Sequence, residues 1–304
     1  MSFASEMKNE LTRTKRNECC KMAELSALLH SNSEILINSE GTHIVFQTMN
    51  NSIARCFISL VKELYQTSVN IMMRRHNLTK QDIFIVTAEK AKNIIEEQEL
   101  INTDYQHLSK FIKNECCKKA YLRGAFLAMG SINNPHNSYH LEIKCRREEN
   151  AILIQSLMSG FHLNAKITKR RKELIVYLKE VQGILDFVYI IGAPNTYFTI
   201  EGIRVNRDVT NMINRKVNCE IANEEKTVIA AKQQLDIIEI IEKKYSKIDE
   251  KLVEIIELRK NNPVASYREL LDIYEREYGK KLTKSGLNHR FRKLHEMAIE
   301  ESHK

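Results

Sequence analysis

The sequence predicts an α+β protein in which a duplicated αββαββα saddle precedes an all-α domain. Three observations carry this prediction. One helical segment occurs twice, β-rich runs alternate with helical runs after each copy, and the end of the chain shows only helical patterns. An internal repeat of this kind determines the architecture of the chain.

The repeated segment reads NECCKMAELSALLHSNSEI at residues 17–35 and NECCKKAYLRGAFLAMGSI at residues 114–132. Positions i, i+4 and i+8 share one helix face, and small residues there let another backbone approach closely. We therefore expect the two repeat helices to pack side by side near a pseudo-two-fold axis. The small residues at this spacing are Ala23, Ala27 and Ser31 in the first copy and Ala120, Gly124 and Ala128 in the second.

Each copy opens one half of the duplicated domain. In the first half, β-rich runs at 34–38 and 43–48 flank a turn containing Gly41, which can take positive φ. The remaining predicted elements of this half are helices at 3–11, 51–65 and 89–97 and a hairpin of 69–75 with 82–87. The second half repeats the order, with a hairpin ending in 139–146, a helix at 150–159, a hairpin of 165–169 with 173–178, and a helix beginning near Val181.

A polar stretch follows the second half. Between Pro194 and about Asn223 it is rich in asparagine and arginine, a composition typical of a solvated linker, and a long helix is predicted from Glu224 to about Lys244. The functional alternative is that the stretch contacts phosphates. Its cations are Arg204, Arg207, Arg215 and Lys216. The predicted boundaries are 1–103 and 104–195 for the two halves, 196–246 for linker and bridging helix, and 247–304 for the terminal domain.

Three helical patterns form the terminal domain, at 249–260, 266–277 and 283–299. Ser266 and Glu269 have the spacing of a capping box, Gly279 can take the left-handed conformation that ends a helix, and Thr283 is a good N-cap. This order is typical of a helix-turn-helix. The connection from Glu277 to Leu282 is longer than a minimal turn, which leaves sigma-factor-like and winged variants open.

The last helix has two distinct faces. Its apolar positions, Leu287, Phe291, Leu294 and Ala298, are predicted to be buried. The opposite face carries Lys284, Ser285, Asn288, His289, Arg292 and Lys293. In the major groove, Asn288 could pair with adenine and Arg292 with guanine or phosphate. A basic face of this kind is also found on solvated helices and on protein-interaction modules.

A second basic group lies in the predicted second half. Clustered cations neutralise phosphates without reading sequence, although such residues at a hairpin tip are also ordinary turn solvation. If they contact DNA, replacing Lys169, Arg170 and Arg171 by alanine should flatten the salt dependence of binding. The whole group comprises Lys166, Lys169, Arg170, Arg171 and Lys172 at the tip with Lys144, Arg146 and Arg147 on the neighbouring strand.

Composition limits the classes of function. The net charge of +8 and pI near 9.0 permit a nucleic-acid partner. No apolar run is long enough for a membrane span or a signal peptide, so a cytoplasmic protein is expected. The vicinal pairs Cys19-Cys20 and Cys116-Cys117 lack the two-residue gap of zinc knuckles. We expect reduced, buried thiols, no metal and no cofactor.

The second copy contains LRGAFLAMG, which resembles the nine-residue LAGLIDADG helix of homing endonucleases at Leu122, Gly124, Ala128 and Gly130. The resemblance implies a LAGLIDADG-type saddle. In that family the eighth motif residue is a carboxylate that binds a catalytic divalent cation. The equivalent nine residues of the first copy are Leu25 to Ser33, a weaker match. The eighth residue is Asn32 in the first copy and Met129 in the second, so the resemblance implies an endonuclease scaffold without its catalytic chemistry.

Three stretches extend the resemblance over essentially the whole chain: KAYLRGAFLAMGSI, residues 214–231, and LTKSGLNHRFRKL. In this order and spacing they resemble the WhiA family, in which a degenerate LAGLIDADG domain precedes a C-terminal helix-turn-helix. The family is linked to sporulation genes in some bacteria and to cell division and chromosome segregation in others.

The leading hypothesis from the sequence is therefore a non-catalytic, nucleoid-associated regulator of transcription that binds double-stranded DNA. No membrane and no small-molecule substrate are expected. One alternative is an active endonuclease in which Glu34 replaces the missing carboxylate. Another is a scaffold that docks a division or transcription protein.

Overall fold

The computed structural model describes residues 2–75, 81–101, 110–171 and 173–300, although nothing is described of the side chain of Glu300. Two compact units divide the chain, Met1–Asn206 and Arg207–Lys304. None of the helices in the described ranges is long and apolar enough to cross a membrane.

The first half of the first unit follows a short helix, α1 (Phe3–Leu11). It comprises α2 (Glu18–Asn32), β1 (Ser33–Asn38), β2 (Gly41–Thr48), α3 (Asn51–Tyr65), β3 (Val69–Arg75), β4 (Asp82–Ala88) and α4 (Lys92–Glu97). The strands form an antiparallel sheet in the order β1-β2-β4-β3. Gly41 has a φ of 133°, which confirms its predicted role in the turn.

The second half repeats this arrangement. It comprises α5 (Glu115–Met129), β5 (Gly130–Ile132), β6 (Leu141–Cys145), α6 (Glu148–Ser159), β7 (Lys166–Arg170), β8 (Glu173–Leu178) and α7 (Val181–Ile191). Its sheet is again antiparallel, in the equivalent order β5-β6-β8-β7. The predicted duplicated αββαββα order is therefore confirmed. Most of the stretch that joins the halves, residues 102–109, lies outside the described residues.

Helices α2 and α5 pack against each other at the centre of this unit. Ala23 and Ala120 are fully buried together, and a Cβ atom built on Gly124 would lie 2.5 Å from the carbonyl oxygen of Glu24 and 2.8 Å from the Cβ of Ala27. Only glycine permits an approach this close. The predicted pairing of the small-residue faces is confirmed.

One apolar core runs through both halves. In each half the inner sheet face packs on helices, as when Phe46 of β2 stacks on Phe57 of α3 at 4.5 Å between ring centroids. Phe126 of α5 meets Phe187 of α7 edge to face at 5.9 Å. These contacts hold the two sheets and the central helix pair as one unit.

The long helix α8 (Pro194–Lys244) corrects the prediction of a linker. The stretch expected to be irregular up to Asn223 is helical throughout. After Gly202 this stretch contains no glycine or proline, and its polar residues are compatible with a helix even though they favour other conformations slightly. The asparagine-rich composition was misleading because it marks solvent exposure rather than loop structure.

The second unit contains the rest of α8 with α9 (Glu250–Asn261), α10 (Tyr267–Tyr278) and α11 (Lys284–Glu300). Ser266 and Glu269 form both hydrogen bonds of the predicted capping box, and Gly279 ends α10 in the left-handed conformation. The Oγ1 of Thr283 accepts from the backbone N–H of Gly286 at 3.1 Å, as an N-cap does. The three predicted terminal helices and their boundary signals are confirmed.

Candidate nucleic-acid interface

Helix α11 is anchored by its apolar face in the second unit's core. Leu287, Phe291 and Leu294 are buried there, and Ala298 is half-buried beside them. Phe291 stacks on Tyr267 of α10 at 5.6 Å. Because these positions recur every three or four residues, their burial fixes the rotation of α11 about its axis and hence the face it presents to solvent.

A polar network centred on Glu254 of α9 joins α10 and α11. Its carboxylate accepts hydrogen bonds from the hydroxyl of Tyr274 and from Lys280 Nζ at 2.6 Å, and Arg290 Nη1 lies 3.6 Å away. Lys280 and Tyr274, followed by the charge of Arg290, lower the pKa of Glu254. The network ties the start of the α10–α11 connection and the middle of α11 to α9.

Arg259 of α9 is fully buried and joins further elements. Its guanidinium lies 5.6 Å from the ring centroid of Phe291, and Nε donates to Gln234 Oε1 at 3.0 Å. Nη1 donates to the carbonyl oxygens of Asn262 and Ala265 at 3.2 and 2.7 Å. This arginine therefore satisfies the backbone of the α9–α10 turn and supports α11 from beneath, a role that its sequence position did not reveal.

The outer face of α11 carries the residues predicted to contact DNA, and all of them are exposed. They are Lys284, Ser285, Asn288, His289, Arg292 and Lys293. Arg292 Nε forms an exposed ion pair with Glu296 at 2.9 Å, which contributes little to stability and leaves the guanidinium reachable. The structure thus brings all six onto the solvent side of a rigidly anchored helix.

The connection between α10 and α11 spans residues 279–283 and forms no strand. Within the described part of the second unit every regular element is an α-helix. The described residues of the second unit therefore contain no wing, because a wing is a β-hairpin.

The cations of the second sheet fall on two different faces. Neighbouring strands pair Lys166 with Tyr177 and Lys144 with Ile175, whereas Lys169 pairs with Leu174. Because side chains alternate along a strand, Lys169 projects from the helix-covered side, and Lys166 projects from the other side. We call that other side the basic sheet face; its cations are Lys144, Lys166 and Arg170, with Glu142 and Glu173 between them, and Arg146 follows directly after the end of β6.

The remaining candidates lie outside the strands of this sheet. Arg171 directly follows β7, is exposed and has a φ of 58°, and Lys172 lies outside the described residues. On α8, Arg215 is exposed and Arg207 is half-buried; both belong to the second unit.

Arg146 also reaches the C-terminal end of α2. Its Nη2 donates to Asn32 Oδ1 at 3.3 Å, and its Nη1 lies 3.5 Å from Glu34 Oε1. The Nδ2 of Asn32 donates to the carbonyl oxygen of Gln47 at 2.7 Å. A guanidinium thus sits beside the position that a metal-binding carboxylate takes in active endonucleases, and it forms a solvent-exposed ion pair with Glu34, the carboxylate considered as a substitute. Sequence reasoning did not find this contact, which joins residues far apart in the chain.

The cysteine prediction is wrong in part. Cys20 and Cys117 are buried as expected, but Cys19 and Cys116 are exposed. All four sulfur atoms lie within 4.8 Å of one another at the N-terminal ends of α2 and α5. The sequence signal for this cluster was the NECC motif at the start of both helices. Because the two helices pack in parallel, their first turns, and hence both cysteine pairs, come together.

Duplicated α/β halves with two antiparallel four-stranded sheets, followed by a helical unit that presents a polar helix, define a LAGLIDADG-like protein joined to a helix-turn-helix domain. Models of three domains match the chain: the WhiA N-terminal LAGLIDADG-like domain at residues 18–101, the WhiA LAGLIDADG-like domain at 118–210, and the WhiA C-terminal HTH domain at 213–298. The chain belongs to the WhiA family, as the sequence resemblance implied.

Relatives and solved structures agree with this assignment. The chain is 42% identical to the probable cell division protein WhiA of Bacillus cytotoxicus, with 98% of this chain and 96% of the relative covered. The crystal structure of full-length DUF199/WhiA from Thermatoga maritima superposes with a TM-score of 0.63 at 26% identity over 99% of each chain. A crystal structure of the N-terminal LAGLIDADG domain of DUF199/WhiA has a TM-score of 0.52 at 26% identity, covering 63% of this chain and 90% of that one.

Proposed function

We propose that this protein is a non-catalytic regulator of transcription that binds double-stranded DNA, with α11 selecting the site. The observation that carries the proposal is the pair of faces on α11, one buried in the core of the second unit and the other exposing six polar or basic residues. A helix anchored in this way can enter the major groove without rearranging, so the free energy of its base contacts is not spent on ordering the protein.

The biological process is proposed from the relatives. Similar chains bear the name probable cell division protein WhiA, and we propose that this protein also acts in cell division, with chromosome segregation and sporulation as related processes under the same control. It would act in the cytoplasm, associated with the nucleoid. A division or transcription protein docking on the first unit is compatible with this role.

We propose further that the sheet unit has lost cleavage chemistry. Magnesium requires oxygen ligands, usually carboxylates. At the end of α2 an amide replaces the carboxylate and Arg146 occupies its surroundings, while the equivalent residue on α5 is Met129. Supercoiled plasmid incubated with magnesium and the intact protein should therefore remain uncut. Magnesium-dependent nicking that disappears in Glu34→Gln would instead support the endonuclease alternative.

Site selection by α11 is tested with Asn288→Ala and Arg292→Ala. Each substitution removes a side chain able to make two hydrogen bonds to a base edge, so each should weaken specific binding by about 1–3 kcal/mol, or roughly five- to 150-fold. Binding to unrelated DNA should change much less. The measurement is fluorescence anisotropy with a site taken from genome-wide occupancy and with a scrambled duplex at one salt concentration.

Lys247→Ala is the matched control, because it removes an exposed cation of the same unit that lies outside α11. It should weaken binding to the specific and to the scrambled duplex slightly and by the same factor. Equal losses for specific and scrambled DNA in Asn288→Ala and Arg292→Ala would move sequence reading away from α11.

A second DNA contact is proposed for the basic sheet face. Its cations would neutralise phosphates, so Lys166→Ala should reduce the slope of log affinity against log salt by about 1. Lys169→Ala removes the same charge three residues along the same strand but from the opposite side of the sheet, and its slope should stay unchanged. A slope for Lys166→Ala equal to that of the wild type would exclude the basic sheet face as a DNA contact.

A further inference from the structure

Four cysteine sulfur atoms meet at one end of the central helix pair. Cys19 and Cys20 come from α2, and Cys116 and Cys117 come from α5. Every pair of these sulfur atoms is within 4.8 Å. In the described part of the chain, this is the one group of three or more cysteine, histidine or acidic side chains that lies close enough to share an ion.

The spacing of the sulfur atoms matches a tetrahedral thiolate site. A zinc–sulfur bond of about 2.3 Å places the sulfur atoms of a regular tetrahedron about 3.8 Å apart. The Sγ atoms of Cys19 and Cys20 are 4.0 Å apart, those of Cys19 and Cys116 are 3.9 Å apart, and those of Cys116 and Cys117 are 3.9 Å apart. A disulfide would require about 2.05 Å. For these three pairs a contraction of a few tenths of an ångström would suffice, and for the remaining pairs, all within 4.8 Å, a contraction of at most about 1 Å would allow one ion to bind all four.

Two electrostatic effects oppose each other at the cluster: burial raises the pKa of the Cys20 thiol to about 12 and that of the Cys117 thiol to about 11, whereas the helix ends favour negative charge. The cysteine pairs occupy the first turns of two 15-residue helices, whose positive dipole ends converge on the cluster. Neither N-cap asparagine, Asn17 or Asn114, offsets this charge through a side-chain hydrogen bond. The nearby carboxylates are engaged elsewhere: Glu18 pairs with Lys21, and Glu115 pairs with Lys119.

We propose that Cys19, Cys20, Cys116 and Cys117 bind one zinc ion that joins the two halves of the duplicated domain. Four thiolate ligands select a soft or borderline metal such as zinc over magnesium or calcium. With all four positions filled by protein there is no open position for substrate, so the site is structural. It lies about 20 Å along α2 from Asn32, estimated from a rise of 1.5 Å per residue, and thus at the opposite end from the endonuclease metal position.

The helix pairing explains how vicinal cysteines serve as ligands. Each helix contributes two adjacent residues, and the second helix supplies the other half of the tetrahedron, which a single short motif cannot do. Since the four sulfur atoms converge only when α2 and α5 are packed, zinc would bind the folded state and stabilise the helix pair.

The test uses the full-length protein, purified under reducing conditions without chelator. Elemental analysis should find about one zinc per chain. Replacement of zinc by Co²⁺ should give the thiolate-to-cobalt charge-transfer bands and the visible d–d bands of a tetrahedral sulfur site. The variants Cys20→Ser and Cys117→Ser should each lose most of the bound metal and these bands. A strong chelator should lower the Tm of the wild type but not that of a variant carrying both substitutions.

Cys219→Ser is the control, because Cys219 is exposed and lies outside the cluster. It should retain the full zinc content and cobalt spectrum. If a cluster variant fails to fold, the wild-type cobalt spectrum still decides. Fully reduced wild type that binds neither zinc nor cobalt through sulfur would overturn the proposal, as would a disulfide between Cys19 and Cys116 that persists under those reducing conditions.

Discussion

Glu24→Ala is expected to reduce the stability of the first unit by about 3–5 kcal/mol, the range for breaking a buried ion pair from one side. Glu24 is fully buried in α2, and its Oε2 accepts from Nε of both Arg16 and Arg123 at 2.8 Å. Removing the carboxylate deprives the guanidinium groups of the buried Arg123 and the partly buried Arg16 of the carboxylate that pairs with both. Because Arg123 belongs to α5, the two halves should loosen at the contact between α2 and α5.

Urea unfolding followed by far-UV circular dichroism measures this loss, since the chain contains no tryptophan for fluorescence. Hydrogen exchange should increase in peptides from α2 and α5 of the first unit and stay unchanged in peptides from α9 and α10 of the second. Glu18→Ala is the matched control, because Glu18 lies in the same helix and its ion pair with Lys21 is exposed at the carboxylate, so the change should stay below about 1 kcal/mol. Equal effects of the two substitutions would contradict a structural role for the buried network.

Gly124→Ala is expected to destabilise the first unit by about 1–3 kcal/mol through overpacking. The added Cβ would lie 2.5 Å from the carbonyl oxygen of Glu24, so backbone must move, and the same shift would disturb the ion pair between Glu24 and Arg123. A larger residue such as valine should have a larger effect. The measurement is the urea midpoint of the intact protein.

Gly202→Ala serves as the control because Gly202 also lies in a helix, within the first unit, but its added Cβ would meet nothing within 4 Å. Alanine is the better helix former, so this variant should be unchanged or more stable by up to about 1 kcal/mol. A stabilising Gly124→Ala would show that the two helices can separate without loss, contrary to the packing described above.

Local patterns in the sequence were sufficient to predict most of the architecture. The duplicated segment predicted a pair of similar halves, alternating runs predicted the strands, and Ser266, Gly279 and Thr283 marked helix boundaries that the structure contains. These features depend on residues close together in the chain, and neighbours determine capping and turn geometry. The outer face of α11 could be predicted for the same reason, since its apolar positions follow a helical period.

The polar part of α8 shows the limit of composition. Residues before Asn223 looked like a linker because asparagine and arginine are common in loops, yet they form continuous helix. Composition reports contact with water more directly than it reports backbone conformation. Lys166 and Lys169 show a related limit: both are basic and close in sequence, and only the pairing of β7 with β8 separates them onto opposite sides of the sheet.

The sequence by itself determined the duplication, the element order, the family resemblance and the polar face of the last helix, because each of these follows from patterns among residues that are close together in the chain. Only the tertiary structure decided which distant side chains meet. It placed Arg146 beside Asn32, Arg123 against Glu24, and the two cysteine pairs in one cluster. These contacts join residues from different halves, and the distance between two side chains across a helix pair depends on how the helices pack rather than on either helix alone.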